Sequence, residues 1–232
     1  MTKIQSLRKV IIATLILLII IVATVPIKEI LEPIITGAAI VSTRLRIISK
    51  VENITCNYTL VEGWNLISIP CQTANSSVDV VLANLSGSYV SIHEYNTTDT
   101  MDHWKSYKPG LPEWVIQDLS DIDIKKGYWI RMNKTATLYL EGNESLPLPI
   151  NLLEGWNLVG YPNNDSKNIS SALRDISSNL GSVHAYNATD TLDHWKAYNP
   201  NIDFSLNDLK EIKAGWGYWF NMSSKDSWLV VP

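Results

Sequence analysis

The stretch LVEGWNLISIP (60–70) returns as LLEGWNLVGYP (152–162), an offset of 92 residues. Two further blocks return in the same order: HEYNTTDTMDHWKSYKP (93–109) as HAYNATDTLDHWKAYNP (184–200), offset 91, and IKKGYWIRM (124–132) as AGWGYWFNM (214–222), offset 90. Three ordered blocks with one-residue drifts between them indicate a duplicated unit of about 90 residues. The units run over 56–145 and 146–232, joined through NESLPLPI (143–150), where Pro147 and Pro149 stiffen the connection.

Cys56 and Cys71, the two cysteines of the chain, bracket the first copy of the opening stretch. A disulfide needs Cα atoms about 5.5 Å apart, whereas fifteen extended residues span about 50 Å, so the chain must reverse between them. The midpoint falls between Gly63 and Trp64, and Gly as first central residue suits a two-residue type II′ turn. This reading pairs 56–61 antiparallel with 66–71 and closes the open end with Cys56–Cys71. The second copy keeps the turn without cysteines, so the bridge reinforces an element that forms without it.

Working outward, YVSIHEY (89–95) and HWKSY (103–107) alternate in polarity and are rich in β-formers, with NTTDTMD (96–102) as the loop between them. GYWIRM (127–132) and ATLYLEG (136–142) make a second strand pair around NKT. SVDVVLANLSG (77–87) and KNISSALRDISSNLG (167–181) space their apolar residues helically, with Val78, Leu82 and Leu85 in one copy and Ile169, Leu173 and Ile176 in the other. Gly87 and Gly181 stand where a helix C-cap would. VIQDLSDI (115–122) and LNDLKEI (206–212) read as further short helical turns. The expected fold class is β-rich α+β: two homologous units of about 90 residues, each a small antiparallel sheet with a short helix, after an N-terminal transmembrane helix.

That helix rests on the amino terminus, where Lys3, Arg8 and Lys9 precede an uncharged run from Val10 to Val25. As a helix the run reaches about 24 Å, close to a bilayer core once flanking Ile4 and Leu7 are counted and Lys3 and Arg8 snorkel. The expectation is an uncleaved signal-anchor over 1–27, N-terminus inside, in preference to a cleaved signal peptide. Residues 28–55 read as a stalk, and the rest is exported to the cell surface. N-x-S/T triplets support export: they begin at Asn53, Asn57, Asn75, Asn84, Asn96, Asn133, Asn143, Asn164, Asn168, Asn187 and Asn221, all beyond the apolar run. Eleven such triplets point to a glycosylated outer surface, although some Asn residues can serve as turn formers. An oxidising compartment also favours the Cys56–Cys71 bridge. A net charge of −4 excludes nucleic acid as a partner.

All four histidines sit at repeated positions, His93 with His184 and His103 with His194. Zinc needs three or four convergent ligands, and only a His and an Asp can be placed together here. Calcium at the loop carboxylates Asp99, Asp102, Asp190 and Asp193 stays open as an alternative to turn hydrogen bonding; no cofactor is otherwise expected. G-x-S-x-G, H-E-x-x-H, C-x-x-C and Gly-rich phosphate loops are all missing from the sequence, and the repeated residues are aromatic, Gly and turn-forming, so a non-enzymatic protein is expected. Nine Trp and ten Tyr against two Phe favour rings that keep a polar partner. Trp104, Tyr107, Trp195 and Tyr198 are candidate binding aromatics, against the alternative that Trp104 and Trp195 pack inward as core.

YNTTDTMDHWKSY (95–107) is similar to the Tyr…Thr…Trp hairpin of kelch blades, but the chain lacks their double-Gly strand, repeats near 90 rather than 50 residues and holds two copies, so a propeller is rejected. The order GWNLIS-P…Y…W-x-Y-x-P…G-x-GYWI-M over 60–132 and 152–222 resembles a repeat of secreted and S-layer-associated surface proteins of archaea and some bacteria. The resemblance implies an extracellular β-rich module with no established chemistry. The expected function is a membrane-anchored, glycosylated structural or adhesion protein of the envelope. Its partners would be the membrane, envelope proteins or surface polysaccharide, with homo-oligomerisation open. A pilin-like filament subunit and a carbohydrate-binding surface module are the alternatives.

Overall fold

The computed structural model describes residues 33–36, 40–43, 50–112 and 114–232. The expected helix at 4–25 lies outside them; among the described residues no helix is long and apolar enough to cross a membrane. Two compact units divide the chain, Met1–Lys50 and Val51–Pro232. In the first, β1 (Pro33–Thr36) and β2 (Ile40–Thr43) form an antiparallel hairpin with Pro33 opposite Thr43. The second is β-rich, made of small antiparallel sheets and a few very short helices.

From Lys50 onward the chain forms β3 (Lys50–Leu60), β4 (Gly63–Ile67), α1 (Val78–Val81), β5 (Tyr89–Tyr95), β6 (Trp104–Tyr107), β7 (Tyr128–Met132) and β8 (Ala136–Leu146). Then follow β9 (Leu148–Leu152), β10 (Gly155–Gly160), β11 (Lys167–Asn168), α2 (Ile169–Ala172), β12 (Leu180–Tyr186), β13 (Trp195–Tyr198), β14 (Glu211–Ile212), β15 (Gly217–Met222) and β16 (Asp226–Val230). One four-stranded sheet has the order β4-β7-β5-β6 and a second the corresponding order β10-β15-β12-β13. Two-stranded sheets β3-β8 and β9-β16 accompany them.

Each four-stranded sheet buries one face. Ile92, Tyr128, Ile130 and Met132 pack with Leu60 of β3, Leu138 of β8 and the apolar side of the helical segment, Val78, Leu82 and Leu85. Val183, Tyr218, Phe220 and Met222 pack likewise with Leu152, Trp228, Ile169, Leu173 and Ile176. The six residues picked out by helical spacing are thus buried, as one face of a turn of α-helix continued by a 3₁₀ turn.

Several local expectations are corrected. The disulfide Cys56–Cys71 forms, but 56–61 and 66–71 do not share a ladder: β3 pairs with β8, and β4 pairs with β7 from Gly63 opposite Met132 to Ile67 opposite Tyr128. The reason lies in Asn65. Its buried amide donates to the carbonyls of Val61 and Gly63 and accepts from the Val61 N–H, so a side chain supplies the bonds a hairpin ladder would have made. Gly63, at φ 95°, lets the chain turn from one sheet into the other. Asn157 makes the same three bonds to Leu153 and Gly155.

GYWIRM and ATLYLEG likewise leave each other at NKT, β7 entering the four-stranded sheet and β8 the two-stranded one. No helical turn forms over 115–122; over 206–212 only Leu206 belongs to a 3₁₀ turn, Phe204–Leu206, and Glu211–Ile212 are β14. Gly87 has the positive φ of a cap, 71°, whereas Gly181 lies inside β12 beside a register shift between Leu180 and Ser182.

Candidate functional site

Alternation along β4, β5, β6 and β7 places Trp64, His93, Tyr95, Trp104 and Trp129 on the face away from the core. Cross-strand pairing brings them together, since Trp129 stands opposite both Leu66 and His93, and Tyr95 opposite Trp104. The second sheet presents Trp156, His184, Tyr186, Trp195 and Trp219 in the corresponding register. These two aromatic faces meet. Tyr95 and Trp104 lie against Trp219, with ring centroids 5.1 and 6.0 Å apart, and Tyr186 and Trp195 lie against Trp129 at 5.1 and 5.8 Å. All four contacts are edge-on, the geometry favoured by the ring quadrupole.

Two clefts remain between the rings. One, of about 380 Å³, is walled by Trp64, His93, Trp104, Trp129 and, from the second sheet, Tyr186. Its twin, of about 430 Å³, is walled by Trp156, His184, Trp195, Trp219 and, from the first sheet, Tyr95. Trp64, Trp104, Trp156 and Trp195 are 42, 46, 43 and 47 % exposed. Among the described residues the one indole N–H with a protein acceptor belongs to Trp228, which donates to the Ala172 carbonyl. The indole donors of both clefts have no acceptor among the described residues.

The histidines hold these rings in place. His103 Nδ1 lies 3.0 Å from the Asn96 carbonyl, which can only accept, so that nitrogen carries the proton. The ring stacks on Tyr95 at 4.9 Å. His194 does the same with the Asn187 carbonyl and Tyr186, at 3.0 and 4.8 Å. His93 and His184 sit beside Trp64 and Trp156, their Nε2 atoms 2.9 and 3.0 Å from Ser91 and Ser182 Oγ. Burial lowers the pKa of both; Lys108 lowers that of His93 further while Asp118 opposes, and Asp208 opposes at His184. Both rings are therefore neutral at neutral pH.

The hairpin loops are internally satisfied. Asp99 accepts from the N–H groups of Met101 and Asp102 and pairs with Lys105 at 2.8 Å, and these bonds, that of Lys105 first, hold its carboxyl at about 2. Asp190 repeats this with Leu192, Asp193 and Lys196 at 2.9 Å. Among the described residues no group of three or more His, Cys, Asp or Glu side chains could hold a metal ion.

Of the candidate aromatics, Trp104 and Trp195 line clefts instead of entering a core, each lying against a Trp of the other sheet. Tyr107 and Tyr198, one strand position out of phase, turn to the opposite face and pack on the two cores. Sequence reasoning missed Trp64, Trp129, Trp156, Trp219, Tyr95 and Tyr186 as cleft walls. The signal was period-two phase: within WKSY and WKAY the Trp and the Tyr are three apart and cannot share a strand face.

Eight of the eleven sequon asparagines, Asn53, Asn57, Asn75, Asn84, Asn133, Asn143, Asn164 and Asn168, are exposed, while Asn96, Asn187 and Asn221 are half-buried. In four triplets the Asn carboxamide oxygen accepts from both the N–H and the hydroxyl of the Ser or Thr two residues on: Asn75, Asn96, Asn168 and Asn187. These are turn and cap interactions, and they account physically for the triplet at those places. Comparison of the chain with protein-family models, with curated proteins and with solved structures finds no match.

Proposed function

We propose that the protein is a membrane-anchored, glycosylated adhesion protein of the cell surface, built from two copies of one unit, which binds saccharides in its twin aromatic clefts. The observation that carries this reading is the pair of solvent-open clefts walled by half-exposed indole faces whose N–H donors have no acceptor among the described residues. An apolar sugar face stacks on such rings while its hydroxyl oxygens accept from the indole N–H groups. Large exposed aromatic surface is rare on soluble domains unless something binds there. The disulfide and the eight exposed sequon asparagines favour an exported chain.

The binding reading is tested by glycan-array and titration binding of the full-length protein in detergent, beside Trp104→Ala and Trp195→Ala. Saccharide binding lost in the double variant supports it; no binding by the parent, or binding indifferent to both changes, overturns it. Anchorage and export are tested separately by intact mass and amino-terminal sequencing of protein from native membranes. The expected result is an unprocessed amino terminus, attached glycans and no free thiol.

A further inference from the structure

The twin clefts share a scaffold but not a rim. Arg131 stands opposite Trp64 on paired strands, two residues along β7 from Trp129 and hence on the same sheet face. The corresponding position opposite Trp156 is Asn221. Lys108 follows β6 by one residue, in phase with Trp104 and Ser106 on the cleft face, and its charge is felt at the His93 ring. The corresponding residue after β13 is Asn199, whose carboxamide oxygen is taken up by the Asn201 N–H of its own loop. Asp118 and Asp208 occupy matching places, each accepting from a backbone N–H, of Ser106 and Ala197 respectively, and so do not distinguish the clefts. Arg131 and Lys108 are both exposed, and neither is in an ion pair among the described residues. One aromatic cleft therefore carries two uncommitted cations at its rim, and its twin carries two amides.

We propose that the cleft of Trp64, His93, Trp104, Trp129 and Tyr186 is a site for an anionic saccharide, a pyranose bearing carboxylate or sulfate, with its ring on the indoles and its charge on Arg131 and Lys108. The proposal rests on the saccharide reading above and specifies what one cleft selects. The walls supply three indole N–H donors, the Tyr186 hydroxyl, which both donates and accepts, and the His93 ring, and the rim adds a guanidinium fork and an ammonium. Carboxylate and sulfate are acceptors only and match that set, the fork taking two oxygens at once. An acidic peptide would bring a row of backbone N–H groups, for which the walls offer as acceptors the Tyr186 hydroxyl and the His93 ring against three indole donors. The amide-rimmed twin has no reason to prefer charge and serves as an internal control.

The test is calorimetric titration of the full-length protein in detergent with four probes: oligogalacturonate, dextran sulfate oligomers, neutral dextran oligomers and polyglutamate. Expected is binding of at least one acidic saccharide ten times or more tighter than neutral dextran, weakened by salt. Trp64→Ala removes that preference and Trp156→Ala leaves it. Replacing Lys108 and Arg131 together by Asn, the residues of the twin, abolishes the preference while neutral binding persists; both positions are exposed, and circular dichroism checks the fold. Equal affinity for acidic and neutral saccharides, a preference untouched by the double Asn variant, or polyglutamate binding as tightly as the acidic saccharides overturns the anionic assignment and leaves saccharide binding standing in the first two cases. Binding of no saccharide at all overturns the saccharide reading itself and this proposal with it.

Discussion

Asn65 and Asn157, 5 and 6 % exposed, spend their amides on the backbone of the residues four and two positions before them, and this decides where the chain leaves one sheet for the next. Replacing Asn65 by Ala strips the Val61 carbonyl and N–H of their partners in a nearly closed corner. The expected cost is about 2 kcal/mol, or a fall of about 4–8 °C in the melting temperature for a domain of this size. Thermal unfolding followed by near-ultraviolet circular dichroism measures it, and Asn157→Ala should match it. The Gly of EGWN was legible as a turn because positive φ has few other hosts. The Asn was not, because one amide that replaces a ladder leaves no periodic trace in sequence. The same scale holds the pH response. His93 and His184 bind a proton less readily folded than unfolded, chiefly through burial, with Lys108 adding at His93 and Asp118 and Asp208 opposing. A depressed folded pKa means the unfolded chain takes up more protons, so stability is complete above about pH 6.5 and falls as pH drops below it. Melting temperature should be level from pH 8 to 7 and decline toward pH 5, and His93→Gln with His184→Gln should flatten that decline. A further loss follows below about pH 4, as Asp99, held at about 2 by Lys105, and Asp190, held low by Lys196, take up protons.

At the level of elements, the two halves secure their two-stranded sheets differently. In the first, Cys56 on β3 is bonded to Cys71, just beyond β4, and the core beneath holds Ile69 and Leu138. In the second, Asn163 follows Pro162 as Cys71 follows Pro70, and its amide donates to the Val231 carbonyl at 3.2 Å. The core there widens into an aromatic stack, Trp228 lying on Tyr161 at 6.0 Å and on Phe220 at 5.3 Å. One half is closed by a covalent link, the other by ring area and a hydrogen bond. Replacing both cysteines by Ser should cost about 3 kcal/mol from the loop it frees. Hydrogen exchange should show lost protection over β3 and residues 68–72, with β9 and β16 unchanged; equal loss in both halves would contradict this division. Strand positions were legible wherever apolar alternation was strong, as in YVSIHEY, because alternation is a local consequence of facing one core. Strand partners were not, since β3 and β8 meet across some eighty residues and nothing local distinguishes that pairing from a hairpin.

Across the whole of 51–232 the contacts between the two halves are reciprocal. Ser68 N–H donates to the Gly215 carbonyl and Gly160 N–H to the Lys125 carbonyl, corresponding pairs in opposite sense, at 3.0 and 2.8 Å. Ile67 bridges Trp216 as Val159 bridges Lys126. Such exchange of i-to-j for j-to-i contacts is the property of a two-fold arrangement, here within one chain. It also explains the Gly of the repeated GYW. A Cβ on Gly217 would lie 2.6 Å from the Ile67 carbonyl oxygen, and one on Gly127 2.9 Å from that of Val159, so each half needs a bare backbone where the other presses against it. The pairing of the clefts depends on this seam, because each takes one Tyr from the opposite half. Gly217→Ala must push backbone against backbone, at about 2–3 kcal/mol, and should weaken ligand binding in both clefts together while red-shifting tryptophan emission. Trp64→Ala, which leaves the seam intact, should silence one cleft alone. If Gly217→Ala left both clefts at parental affinity, the close approach of the halves would not be what positions Tyr95 and Tyr186, and each sheet would have to hold its cleft unaided.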